Sequence, residues 1–81
     1  MADTVNVQYY AILREQRGIS AETVEAAGVS ADALYARLTQ EYGFTLAREI
    51  VRVAINGEFA PWDRVLRGGD TVVFIPPVAG G

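Results

Sequence analysis

The sequence of 81 residues contains no cysteine, no histidine and no lysine; all seven of its basic residues are arginines. Each absence removes a class of chemistry. Without cysteine there is no disulfide framework, no thiolate metal site and no thiol nucleophile. Without histidine there is no imidazole base, no imidazole ligand and no Ser-His-Asp relay. The net charge of −3 argues against a binder of nucleic-acid backbone, which needs clustered cations. No apolar run approaches the ~20 residues that cross a bilayer. Met1-Ala2-Asp3 lacks the cationic start of a signal peptide, so the expected location is cytoplasmic, with no membrane partner. Glu22, Glu25, Asp63 and Asp70 show no metal-ligand spacing and read as solvated surface, and no metal is expected. Gly68-Gly69 lacks the lysine and following helix of a phosphate loop.

What remains is an apolar fraction of 51%, enough for one small core. A chain this short buries roughly 60–65% of its unfolded surface, which fits a single domain. Residues 4–10 alternate, with Val5, Val7 and Tyr9 opposite Asn6, Gln8 and Tyr10, and predict a strand. Residues 11–18 read as a polar connection with one helical turn, and 20–25 as a short, charged edge strand. Ser30 is a good N-cap, Val29 can staple against Leu34, and Gly43 is a C-terminal stop. Between them Ala31, Leu34, Tyr35, Leu38 and Tyr42 form one apolar helical stripe. Val51, Val53 and Ile55 share a strand face, Asn56-Gly57 predicts a type I′ hairpin, and Pro61 ends the return strand. After the turn at 67–70, Thr71–Ile75 is apolar on both faces, as a central strand is. The expected fold is α+β: a mixed sheet of four to five strands with one main helix across one face. Residues 1–75 form the domain and 76–81 an extended tail.

That tail is where chemistry can sit. Pro76 and Pro77 cannot continue a ladder and hold extended backbone, so they act as a stiff spacer. Val78 and Ala79 follow, then Gly80 and Gly81, which have no side chain. Six extended residues reach about 20 Å. An arm that narrows to Gly-Gly can thread a tight channel and present its carboxyl carbon to attack. A carboxylate titrating near 3.5 is anionic at neutral pH and a poor electrophile, so another protein must activate it.

Phe74-Ile-Pro-Pro-Val-Ala-Gly-Gly81, preceded by Gly69-Asp70-Thr-Val-Val73, resembles the C-terminus of the small, sulfur-carrier subunits of molybdopterin synthase. Val7-Gln-Tyr-Tyr-Ala-Ile-Leu-Arg-Glu15 is similar to that family's first strand and turn, and Val53-Ala-Ile-Asn-Gly-Glu58 to its central hairpin. The resemblance implies the ubiquitin-like β-grasp fold. It also implies a cycle in which an ATP-dependent adenylyltransferase, resembling ubiquitin-activating enzymes, adenylates Gly81 and a sulfur donor system makes the thiocarboxylate. The tail then delivers sulfur to cyclic pyranopterin monophosphate in the large, catalytic synthase subunit. Gly81 is then the one residue of this chain that reacts, the chain itself binds no cofactor, and the complex is a heterotetramer. By the same resemblance Pro76, Pro77, Val78, Ala79 and Gly80 enter the partner, while Ile75, Tyr10 and Arg14 dock it. Phe59 matches a position exposed to the activating enzyme, against the alternative of a core contact with Trp62, which itself reads as packing. Sulfur carriage for thiamine, cysteine or tRNA thiolation, a ubiquitin-like protein modifier, and a β-grasp adaptor with an inert terminus share most of these features. Wherever Gly81 is activated, it meets no lysine amine on its own chain.

Overall fold

The structure, a computed structural model, describes residues 3–77. In chain order it contains β1 (Thr4–Tyr9), α1 (Ala11–Arg17), β2 (Ala21–Glu25), α2 (Ala31–Tyr42), a 3₁₀ turn (Arg48–Ile50), β3 (Arg52–Ile55), β4 (Glu58–Ala60) and β5 (Thr71–Ile75). The five strands form one sheet in the order β2-β1-β5-β3-β4. β1 and β5 pair in parallel, Asn6 opposite Thr71 and Tyr9 opposite Phe74, and every other pairing is antiparallel.

Alternation sorts the two central strands. Val5, Val7, Val72 and Phe74 are wholly buried and Tyr9 nearly so, all on one face. α2 covers that face with Ala31, Leu34, Tyr35 and Leu38, and the Tyr35 ring meets Phe74 edge-on at 5.2 Å. Its ends are the expected ones. The Ser30 hydroxyl accepts from the Ala33 N–H at 3.1 Å, a cap worth about 1 kcal/mol. Gly43, at φ 73°, closes the helix by donating to the Thr39 carbonyl.

Two segments differ from the sequence reading. Residues 11–17 make two helical turns rather than one, because Leu13 is wholly buried and anchors α1 despite its polar neighbours. Residues 44–50, which carry no periodic signal, reach the core through Phe44, whose ring lies 5.8 Å from Tyr35 and 5.9 Å from Tyr9.

The turn residues also do more than turn. Asn56 and Gly57 have the positive φ of a type I′ hairpin, 54° and 85°. In addition the Asn56 side chain donates to Asp70 Oδ1 and accepts from the Thr71 N–H, both at 2.9 Å. Asp70 is therefore not a solvated carboxylate. It is buried, and its Oδ2 accepts from the Arg67 N–H at 2.9 Å and from Arg64 Nη1 at 3.2 Å. This clasp ties the hairpin to the start of β5. Burial opposes ionisation of Asp70, but the hydrogen bonds from Arg67, Asn56 and Arg64 outweigh it and hold its pKa below the ordinary carboxylate value.

Asp70→Ala leaves these donors unpartnered and is expected to cost about 2–3 kcal/mol at neutral pH in urea unfolding. Because the folded pKa is depressed, the ionised group's contribution is present above about pH 4 and is lost as pH falls through the folded value. The stability gap between the variant and the unsubstituted chain should therefore narrow in acid. A gap that stays constant down to about pH 2 contradicts the ionic clasp.

Candidate functional site

β5 runs through the middle of the sheet, so its alternation gives it two buried neighbours and two faces. Val72 and Phe74 point to α2, which leaves Val73 and Ile75 on the opposite, outer face. Register sets their companions. Ala54 lies opposite Val73, Arg52 opposite Ile75, and Phe59 opposite Ala54 on β4. Tyr10, Ala54, Gly57, Phe59, Val73 and Ile75 line one shallow depression of about 280 Å³ on this face. Tyr10 is 50% exposed and Phe59 66%, which is much apolar area to leave in water on so small a body. Phe59 is thus not a core residue. Trp62 is the packing residue, stacked on Phe74 at 6.0 Å and 5.5 Å from Tyr35.

The end of β5 opens into a second concavity. Tyr10, Ala11, Ile12, Glu15, Leu46, Ile75, Pro76 and Pro77 line a groove of about 650 Å³. Tyr10 and Ile75 border both concavities, so the outer face and the exit of the tail are continuous. Arg14, one turn beyond Tyr10 on α1, lines a small depression beside it with Gln8 and Ser20. The sequence-predicted residues Tyr10, Ile75, Pro76 and Pro77 therefore gather at one end of the sheet, with Arg14 at its flank and Phe59 across the outer face. Val78, Ala79, Gly80 and Gly81 lie outside the described residues.

The rim of this site is held by polar contacts centred on Glu22, which is half-buried and not the solvated surface charge expected from the sequence. Glu22 faces the helix side of edge strand β2. It receives Arg17 Nε and Nη2, both at 2.8 Å, and the Tyr9 hydroxyl at 2.6 Å. The Arg17 guanidinium lies 3.9 Å over the Tyr42 ring. Hydrogen bonds from Arg17 hold the Glu22 carboxyl below its ordinary pKa against the effect of burial, and Tyr9 adds to them. Burial, reinforced by Glu22, pushes the Tyr9 phenol upward. The latch fixes the end of α1 to β2, and with it the positions of Tyr10 and Arg14. Ala11, at φ 52°, turns β1 directly into α1, a left-handed conformation that costs an L-residue about 1–2 kcal/mol.

Arg52 is the site residue that sequence reading missed. Its guanidinium lies 5.0 Å over the Phe59 ring. The alternation of Val51, Arg52 and Val53 was the available signal, since it sends Arg52 to the face opposite the buried valines. Among the described residues, no cluster of three acidic side chains is placed to hold a metal, and no helix is long and apolar enough to cross a membrane.

A β-grasp sheet whose central last strand leads into Pro-Pro-Val-Ala-Gly-Gly is matched from residue 7 to residue 81 by the ThiS family profile. The chain belongs to the ThiS family. Within it, the sequence is 32% identical over 80 residues to the molybdopterin synthase sulfur carrier subunit of Haemophilus influenzae, covering 95% of this chain and 99% of that protein. Among solved structures, a candidate molybdopterin converting factor subunit 1 from Pyrococcus furiosus superposes with a TM-score of 0.79 at 28% identity, covering 93% of this chain and 98% of the other. The small archaeal modifier protein 1 of Haloferax volcanii gives a TM-score of 0.80 at 22% identity over 96% of this chain and 99% of its own, a likeness of fold alone. The ubiquitin-like β-grasp fold and the family resemblance expected from the sequence both hold for this ThiS-family chain.

If the outer face exists for docking, its exposed aromatics contribute little to folding. Tyr10→Ala and Phe59→Ala should each change the unfolding free energy by less than about 0.5 kcal/mol, whereas Leu13→Ala costs about 2–5 kcal/mol. Denaturant unfolding of the three variants checks this, and a cost above about 2 kcal/mol for Phe59→Ala would make it a structural residue.

Proposed function

We propose that this chain is the sulfur carrier of molybdenum cofactor biosynthesis, the small subunit of a molybdopterin synthase. The observation that carries the reading is its 32% identity to the Haemophilus influenzae sulfur carrier subunit, which spans nearly the full length of both chains. The geometry supports it, because a central strand hands a proline-stiffened tail over the edge of an exposed apolar face.

In this reading the carboxyl of Gly81 does the chemistry. The carboxylate attacks the α-phosphate of ATP on the activating enzyme, and pyrophosphate leaves. The resulting acyl-adenylate is a good electrophile. A sulfur donor attacks its carbonyl carbon, AMP departs, and a thiocarboxylate remains. The tail then enters the large subunit, which docks over Tyr10 and Ile75 with Arg14 at the margin, while Phe59 is the exposed apolar residue offered to the activating enzyme. There the thiocarboxylate sulfur bonds to a carbon of cyclic pyranopterin monophosphate, water cleaves the acyl–sulfur bond and returns Gly81 to a carboxylate, and a second thiocarboxylated chain supplies the second sulfur of the dithiolene. Gly80 and Ala79 make the arm narrow, Val78 gives it a small apolar grip, and Pro76-Pro77 limit the entropy lost when it is threaded. ATP belongs to the activating enzyme, and this chain binds no cofactor of its own. The cycle runs in the cytoplasm. Acid–base groups come from the partner, which suits a body without His, Cys or Lys.

The test is reconstitution. Thiocarboxylated chain, incubated with the large synthase subunit and cyclic pyranopterin monophosphate, should yield the dithiolene product. Removal of Gly81 should abolish that product while leaving the unfolding midpoint unchanged. If no dithiolene forms, but the thiocarboxylate serves thiamine, cysteine or tRNA thiolation, the chain carries sulfur for another pathway. If activation instead yields conjugates to lysines of other proteins, it is a modifier.

A further inference from the structure

We propose that Arg52, laid over Phe59 at the exit of the tail, pairs with a carboxylate on the subunit that receives the tail. The inference rests on the function proposed above, which requires a partner to cover the outer face.

Arg52 opens β3 directly opposite Ile75, so its side chain leaves the outer face beside the last residue of β5. Stacking over Phe59 holds the guanidinium against β4, where Arg52 and Phe59 line a depression shared with Glu49, whose carboxylate pairs with Arg48 and not with Arg52. On β3, β4 and β5 the outer-face positions are Arg52, Ala54, Phe59, Thr71, Val73 and Ile75, and Arg52 carries the only charge among them. Arg17, Arg48 and Arg64 each pair with a carboxylate, whereas among the described residues Arg52 pairs with none.

An exposed cation in this position is harmless until a partner arrives. A subunit that grips the tail must cover Ile75, and covering Ile75 strips water from Arg52. The Phe59 ring contributes no acceptor to the five guanidinium N–H donors, and a desolvated, unpaired guanidinium opposes binding strongly. The partner must therefore supply the acceptor. A carboxylate matches the guanidinium fork in both charge and geometry, and would receive two parallel hydrogen bonds. Such a pair, one residue across from Ile75, fixes the docking register at the point where the tail leaves the body. It also selects against partners whose matching surface is basic or purely apolar.

The experiment measures affinity for the large synthase subunit at low and high salt, using the full chain and the variants Arg52→Gln, Arg52→Lys and Arg52→Glu. At low salt Arg52→Gln should weaken binding about tenfold and Arg52→Glu about a hundredfold, with Arg52→Lys between Arg52→Gln and the unsubstituted chain. The salt dependence should flatten in Arg52→Gln, which a loss of packing alone would not produce. Unchanged unfolding midpoints exclude misfolding as the cause. Binding of Arg52→Glu within about twofold of the unsubstituted chain overturns the role of Arg52 while leaving the proposed function standing. Equal losses at both salt concentrations, with an unchanged salt slope, also overturn the ion pair. Failure of the unsubstituted chain to bind the large subunit overturns the proposed function and this partner together.

Discussion

The parallel pairing of β1 with β5 is the constraint on which the other features depend. It places the last strand in the centre of the sheet, with partners on both sides, so the residues after Ile75 leave from a fixed point. Parallel strands need a long crossover, and the chain between β1 and β5 supplies the edge strand, α2 and the β3–β4 hairpin. The pairing is secured at its far end by the Asn56–Asp70 clasp, which joins the hairpin turn to the start of β5. At the near end, β1 passes straight into α1 through Tyr10 and Ala11, and these residues become the wall of the groove where the tail emerges. One packing decision thus builds both the core and the exit.

The absences in the composition fit this arrangement. In the proposed cycle an activated terminus meets no lysine amine or cysteine thiol on its own body, and the body needs no catalytic group if its partners hold them. What it must provide is a rigid mount, a recognisable face and a narrow arm. Tyr10 and Phe59 stand largely in solvent on the outer face, whereas Phe74, Tyr9 and Leu13 are buried in the core beneath it.

Much of this was legible in the sequence, where period and turn chemistry agree. The caps at Ser30 and Gly43, the type I′ turn at Asn56-Gly57 and the alternation of β1 and β5 all translate directly into structure. The sorting of Tyr10 and Ile75 to the outer face followed from the same alternation. What was not legible depends on contacts between distant residues. Leu13 looks like one apolar residue in a polar stretch until the core it enters is known. Asp70 and Glu22 read as surface charges because their partners, Asn56 and Tyr9, lie 14 and 13 residues away. Phe44 has no periodic neighbours to announce it. Arg52 was hidden for a different reason: its face was readable, but its position beside Ile75 is a matter of register between strands, which a sequence pattern does not specify.

In the proposed function the carboxyl group of Gly81 carries sulfur. Its most direct test is the intact mass of the chain after incubation with its activating enzyme, ATP and a sulfur donor, with fragmentation to locate the change. Replacement of one oxygen by sulfur, confined to Gly81 and dependent on ATP, is the expected result. A terminus that stays a carboxylate while the activating enzyme turns over ATP, or sulfur found at any other residue, would contradict it.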